Sequence, residues 1–72
     1  MIKIKDLRPE DVGKWVFYKI DSKLAGETEE GKISSWNDKF IFVVYRCAGN
    51  WDRFREYTGQ ATKEEDLTYG NN

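Results

Sequence analysis

The sequence contains no histidine and a single cysteine, and these two scarcities exclude several kinds of chemistry. Without histidine, Ser-His and Cys-His nucleophile pairs cannot form, and most zinc sites are excluded as well. A secreted domain of this size normally carries several disulfide bridges, so the lone Cys47 predicts a protein of the reducing cytoplasm. We therefore expect no catalytic residue and no metal site.

Phosphate-binding motifs, charge excess and long apolar runs are also missing. The six glycines are dispersed along the chain, and none has the spacing of a phosphate-binding loop. The formal net charge is -1, which disfavours unspecific attraction to nucleic acid or to anionic lipid. The first ten residues, MIKIKDLRPE, carry charges too often for a signal peptide or a membrane span. The sequence thus predicts a soluble, non-enzymatic protein without a cofactor or a membrane partner.

Aromatic residues are what the sequence has in abundance. They make up 15% of the chain, enough for large rings to fill the core of one small domain. We find no repeat and no internal linker. Residues 1–69 are therefore predicted to form one domain, and residues 70–72 a frayed tail.

The first predicted strand is KWVFYKI, residues 14–20, because it is rich in aromatic and branched side chains. Alternation places Val16 and Tyr18 on one face and Trp15 and Phe17 on the other. The following stretch, residues 21–30, predicts a polar loop and the least ordered internal segment.

A hairpin is predicted in EEGKISSWNDKFIFVVY, residues 29–45, with Asn37 and Asp38 in the turn. The pairs on the core face would be Ser35 with Phe40, Ile33 with Phe42 and Gly31 with Val44. Gly31 in that position predicts a close backbone approach or a bend. The predicted core consists of Ile33, Phe40, Phe42 and Val44 together with Val16 and Tyr18.

Two further segments predict short helices. In LRPEDVG, Pro9 suits the first helical position and Gly13 suits a left-handed stop. In GNWDRFREYTG, apolar residues recur at a spacing of three, at Trp51, Phe54 and Tyr57. We expect the second helix to cover the other face of the hairpin, at Ile41 and Val43.

The C-terminal part predicts a capped turn followed by a strand. Thr62 and Glu65 have the spacing of a capping box, and Leu67 and Tyr69 supply a last short strand.

The chain resembles small uncharacterised proteins of tailed bacteriophages and prophages. The resemblance is carried by four segments in this order: VGKWVFY, a polar loop, EEGKISSWNDKFIFVVY and YTGQATKEEDL. Those proteins are SH3-like barrels of the general Tudor or KOW shape, and the resemblance covers roughly residues 9–69. It implies a mainly β fold: a small SH3-like barrel of about five strands with short helical turns. It also implies a phage or prophage setting, but no activity.

Three hypotheses for the function stay open. The favoured one is a non-enzymatic interaction module that binds a protein partner through surface rings. The second is a barrel that binds single-stranded nucleic acid, because KFIFVVYR resembles the base-stacking strands of OB-type barrels. The basic residues near rings in the sequence are Lys32, Lys39, Arg46, Arg53 and Arg55. The third hypothesis is a structural protein that associates with itself.

The predicted partner site consists of the aromatic rings that are neither part of the predicted core nor covered by the second helix. These are Trp15, Trp36 and Tyr45, beside Lys39 and Arg46, a composition typical of interface hot spots. The same three rings with Asp38 could form a cage for a methylated side chain, although a core role for the rings is favoured over it. We expect a monomer or a weak homodimer.

Overall fold

The computed structural model describes residues 1–19, 28–45, 47 and 49–70. Five antiparallel strands form one open sheet in the order β4-β3-β2-β1-β5. The strands are β1 (Trp15–Lys19), β2 (Thr28–Trp36), β3 (Ile41–Val44), β4 (Gln60–Thr62) and β5 (Leu67–Tyr69). Short 3-10 helices span Ile4–Asp6, Pro9–Asp11, Trp51–Glu56 and Glu64–Asp66. The prediction of a mainly β fold with about five strands and short helical turns is confirmed.

The segment that precedes β1 has the structure that the sequence predicts. Pro9 begins a single helical turn, and Gly13 ends it with a φ of +90°, a conformation that side chains other than glycine rarely adopt. In β1, Val16 is fully buried and Tyr18 packs against the same core, while Trp15 lies on the opposite face. The predicted faces of this strand are confirmed.

Strand β2 is nine residues long and pairs with two neighbouring strands. Its first half, Thr28–Lys32, pairs with β1, and its second half, from Lys32 to Trp36, pairs with β3. The ladder to β3 is irregular between Ile33 and Ser35, as at a β-bulge, which bends a strand. Because β2 begins at Thr28, residues 28–30 are strand rather than the predicted polar loop. The prediction for residues 20–27 falls outside the described residues.

Gly31 lies where β2 crosses close to β3. A Cβ atom at this position would meet Val43 Cγ1 at 2.6 Å and the Val44 carbonyl oxygen at 2.7 Å. Both separations are shorter than real Cβ contacts, so only glycine fits. The predicted close backbone approach at Gly31 is confirmed, although Val44 pairs with Lys32.

The predicted hairpin register is wrong because the two-residue turn lies at Asp38 and Lys39 rather than at Asn37 and Asp38. The side-chain oxygen of Asn37 accepts the amide of Lys39 at 2.8 Å and that of Phe40 at 2.7 Å, a local bond typical of asparagine in turns. Asn37 therefore faces Phe40 across the turn, and Trp36 pairs with Ile41. Together with the irregularity in β2, this makes Val43 the partner of Ile33.

The displaced turn moves the pairing by two residues, which keeps the faces of β3, whereas the irregularity between Ile33 and Ser35 moves it by one residue and exchanges them, as the two-residue period of a strand requires. Ile41 and Val43 are fully buried, whereas Phe40 and Phe42 are only partly buried. The predicted core role of the two phenylalanines is therefore wrong. The observed inner core consists of Ile2, Val16, Ile33, Ile41, Val43 and Leu67.

A second, outer cluster lies beneath the 51–56 helix. Its buried members are Val44, Cys47 and Phe54, with Val12 and Trp51 packed against them. The short helix predicted here is present, but the expectation that it covers Ile41 and Val43 is wrong, since those residues point into the inner core.

The C-terminal segment forms an additional strand where a capped turn was predicted. Thr62 belongs to β4, and the turn Glu64–Asp66 begins after Lys63 without a side-chain cap. Glu64 instead holds the N-terminal arm, because its carboxylate accepts the Ile4 amide at 2.7 Å. The predicted last strand is confirmed as β5. The amide of Gly70 donates to the Trp15 carbonyl at 2.8 Å, and residues 71–72 lie outside the described residues.

Replacing Gly31 with alanine tests this close approach. The added methyl group would collide with Val43 and with backbone of β3, so Gly31→Ala should lower the free energy of unfolding by about 1–3 kcal/mol or more. Ser35→Ala, at an exposed position of the same strand, should change it by less than about 0.5 kcal/mol. Urea denaturation measures both, and equal stability of the two variants would contradict the packing described.

Candidate functional site

A groove of about 760 Å³ lies at the edge of the sheet beside β4. Strand β4 contributes all three of its residues, and the end of β1 and the start of β2 contribute Tyr18, Lys19 and Glu29. Phe40 and Tyr45, which flank β3, add two rings. Its volume falls within the range of about 300–1,000 Å³ that is typical of ligand-binding clefts.

Two tyrosines form a fixed pair within this groove. The rings of Tyr18 and Tyr45 meet edge to face, with centroids 5.8 Å apart and planes at 62°. The Tyr45 hydroxyl lies 2.7 Å from Thr62 Oγ1. Because Thr62 gives its own hydroxyl proton to the Gln60 carbonyl, Tyr45 is the donor in that bond. The pair therefore joins the end of β3 to the edge strand β4.

The electrostatic surroundings of Tyr45 are negative. Burial raises the pKa of its phenol above the usual value, and the nearby carboxylates of Glu29 and Asp66 raise it further. Glu65, in the same turn as Asp66, also lines the groove. Three carboxylates thus share the groove with the two ammonium groups of Lys19 and Lys63.

A second aromatic surface lies on the opposite, outer face of β1 and β2. Trp15 and Trp51 meet edge to face with ring centroids 4.7 Å apart. The ammonium of Lys32 lies 4.8 Å from the centroid of Trp15 and 5.4 Å from that of Phe54, and it donates to the Trp51 carbonyl at 3.4 Å. We call these residues the outer aromatic cluster. Its cation is enclosed by rings of the same chain, which stabilises the packing of the 51–56 helix.

The predicted partner residues do not come together in the structure. Trp15 belongs to the outer aromatic cluster, Trp36 packs against the inner core, and Tyr45 lies in the groove. Lys39 is exposed in the hairpin loop, and Arg46 lies outside the described residues. Trp15 pairs with Lys32, four residues before Trp36 on β2, a separation of roughly 13 Å along the strand.

Asp38 is likewise far from two of the three rings proposed with it as a cage. It lines a different depression, beside Met1 and Lys5 of the N-terminal arm. Asp38 therefore shares the hairpin end with Trp36 but neither the groove of Tyr45 nor the outer face that carries Trp15.

Several basic side chains are already engaged by neighbours. Lys14 lies 2.6 Å from Asp11, and this bond raises the lysine pKa and lowers that of the carboxyl. Arg53 pairs with Glu56 at 2.5 Å. The guanidinium of Arg55 lies 5.7 Å from the ring centroid of Phe54.

Sequence reasoning missed most of the groove. The sequence pattern places Tyr18 and Phe40 in the core and Thr62 of β4 in a capped turn. A three-residue strand shows no periodicity, so its only sequence signal is a short polar run between Gly59 and the acidic turn. Of the four predicted site residues that the structure describes, Tyr45 alone lines the groove.

Metal and membrane chemistry find no support in the described part of the chain. Among residues 1–19, 28–45, 47 and 49–70, no group of three or more histidine, cysteine, aspartate or glutamate side chains is placed to hold a metal ion. No helix in the same residues is both long and apolar enough to cross a membrane.

Comparison with known proteins gave no match. A scan of protein-family models finds none, and searches of the curated proteins and of the solved structures find none either.

Replacing Tyr45 with phenylalanine tests the link between the tyrosine pair and β4. Loss of the hydrogen bond to Thr62 should lower the free energy of unfolding by about 0.5–1.5 kcal/mol at pH 7. Tyr57→Phe, which alters an exposed tyrosine directly after the 51–56 helix, is the control and should have almost no effect.

The same variant has a pH signature. Because the pKa of Tyr45 is raised in the folded state, the associated stability is fully present below about pH 10 and is lost as the pH rises through the folded pKa. Tyr45→Phe should therefore lose less stability than the wild type above pH 10. A wild type and variant that decline in parallel would contradict the buried position of Tyr45.

Proposed function

We propose that this chain is a small SH3-like barrel that acts as a non-enzymatic interaction module and binds a protein partner in the groove beside β4. The observation that carries the proposal is the groove itself, because it combines clustered rings, charges of both signs and an edge strand. Recognition surfaces of proteins commonly combine aromatic anchors with a polar rim.

The strand connectivity supports the SH3-like part of the proposal. Four consecutive strands form a meander, and a single 3-10 turn leads into a fifth strand that returns to pair with β1. The two halves of β2 pair with different neighbours, as in a sheet that curls over its own core. This connectivity fits the SH3-like barrel that the sequence resemblance implies.

The proposed setting rests on the sequence. Resemblance to small proteins of tailed phages suggests a phage or prophage origin. The lone Cys47 is 1% exposed, which fits a structural thiol in a reducing cytoplasm rather than a reactive group. The absence of histidine supports a role without catalysis.

A protein partner is favoured over nucleic acid because of how the basic residues are placed. Single-strand binding needs cations and rings exposed together along one groove. Here Lys32 is enclosed by the outer aromatic cluster, while Lys14 and Arg53 are each paired with an acid. Among the described residues, the edge groove is lined by the carboxylates of Glu29, Glu65 and Asp66 and by the ammonium groups of Lys19 and Lys63.

Affinity capture from the native cell, with nuclease-treated and untreated lysate side by side, tests this proposal. Three baits are compared: the wild type, Ala61→Trp, which places bulk in the groove, and Thr68→Trp, which places the same bulk on exposed strand β5. The wild type and Thr68→Trp should retain the same protein after nuclease treatment, and Ala61→Trp should lose it.

The other outcomes contradict the proposal in distinct ways. If the wild-type bait no longer captures the protein after nuclease treatment, the ligand is nucleic acid. Capture that Ala61→Trp retains would place the partner site elsewhere. A homodimer in sedimentation that Ala61→Trp converts to monomer would indicate self-association as the role of this edge.

A further inference from the structure

The loop of the hairpin determines its hydrogen-bond phase, that is, which cross-strand pairs are hydrogen-bonded and which are not. The Asn37 amide donates to the Phe40 carbonyl at 3.0 Å, so these two residues face each other as a bonded pair. In an antiparallel ladder, bonded and non-bonded pairs alternate. Two positions further along, Ser35 and Phe42 therefore form a bonded pair, and Phe42 directs both of its backbone groups toward β2.

This phase determines which backbone groups of β4 face outward. Ala61 is the partner of Phe42, whose backbone groups are used on the other side. The pair is thus a non-bonded one, and the N–H and C=O of Ala61 point away from β3. Ala61 is exposed and lines the groove, so an edge donor and an edge acceptor open into it.

From this geometry we infer that the groove binds an extended peptide with basic side chains, which adds to the sheet as a strand beside β4 through the backbone of Ala61. The inference rests on the proposed protein-binding function and specifies its ligand. Strand addition supplies affinity through the main chain and specificity through alternate side chains.

The preference for basic side chains follows from charge. Glu65 and Asp66 belong to the turn that follows β4, and both residues line the groove. The tyrosine pair offers ring faces and edges beside these carboxylates, an arrangement that suits an ammonium or guanidinium group. An acidic peptide would meet repulsion at the same place.

Synthetic peptides test the inference directly. The probes are fluorescent heptapeptides that alternate threonine with lysine and arginine, and matched peptides that alternate threonine with glutamate. Fluorescence anisotropy should show binding of the basic peptide at low salt and at least about tenfold weaker binding of the acidic one. Equal affinity for the two would overturn the charge preference.

Two variants separate the backbone contact from the charge. Ala61→Pro removes the outward N–H but keeps the bonds of its neighbours to β3, a position where a strand accepts proline. It should abolish binding of the basic peptide while circular dichroism shows the native sheet. Glu65→Lys should weaken binding about tenfold, whereas Asp52→Lys, the same charge change on the 51–56 helix, should leave it unchanged.

A modified probe covers the case in which Ala61→Pro does not fold. A basic peptide with N-methylated central residues cannot complete the ladder and should not bind wild-type protein. If it binds as well as the unmodified peptide, strand addition is overturned. If lysate capture depends on the groove but no basic peptide binds, the proposed function stands and this inference fails.

Discussion

The fold depends on one strand that two neighbours share. β2 pairs with β1 through its first half and with β3 through its second, and Lys32 belongs to both ladders. This arrangement requires a backbone that can approach Val43 and Val44 within the reach of a methyl group, which Gly31 alone permits. Because both halves of β2 depend on this close approach, the inner core packs directly beside it, and Ile33 and Val43 are fully buried there.

The position of the candidate site follows from the same constraint. With β3, β2 and β1 in the middle, β4 and β5 become the two edges of the sheet. The turn that carries Glu65 and Asp66 connects these edges, so it places acids beside the open side of β4. Tyr45 then fixes β4 through Thr62. The groove combines an open strand edge with aromatic rings and carboxylates, because the topology leaves β4 without a second neighbouring strand in the described sheet.

The sequence predicted what depends on local pattern and missed what depends on side-chain hydrogen bonds within loops. Val16 and Tyr18 were placed on the correct face because alternation in β1 is uninterrupted. The hairpin register failed because Asn37 bonds two amides of its own loop, which places the turn at Asp38 and Lys39, and because β2 is irregular between Ile33 and Ser35; no hydrophobic pattern reveals either feature. The groove was missed because its rings and acids come from segments distant in sequence and from a strand of only three residues.

Amide hydrogen exchange along β4 tests the central claim most directly, since it reads the hydrogen-bond phase that β2 and the hairpin impose. In the free protein, the amides of Gln60 and Thr62 should be protected, whereas that of Ala61 should exchange rapidly. Addition of the basic heptapeptide should then protect the Ala61 amide. A protected Ala61 amide in the free protein, with rapid exchange at Gln60 and Thr62, would contradict both the register described here and the edge site built on it.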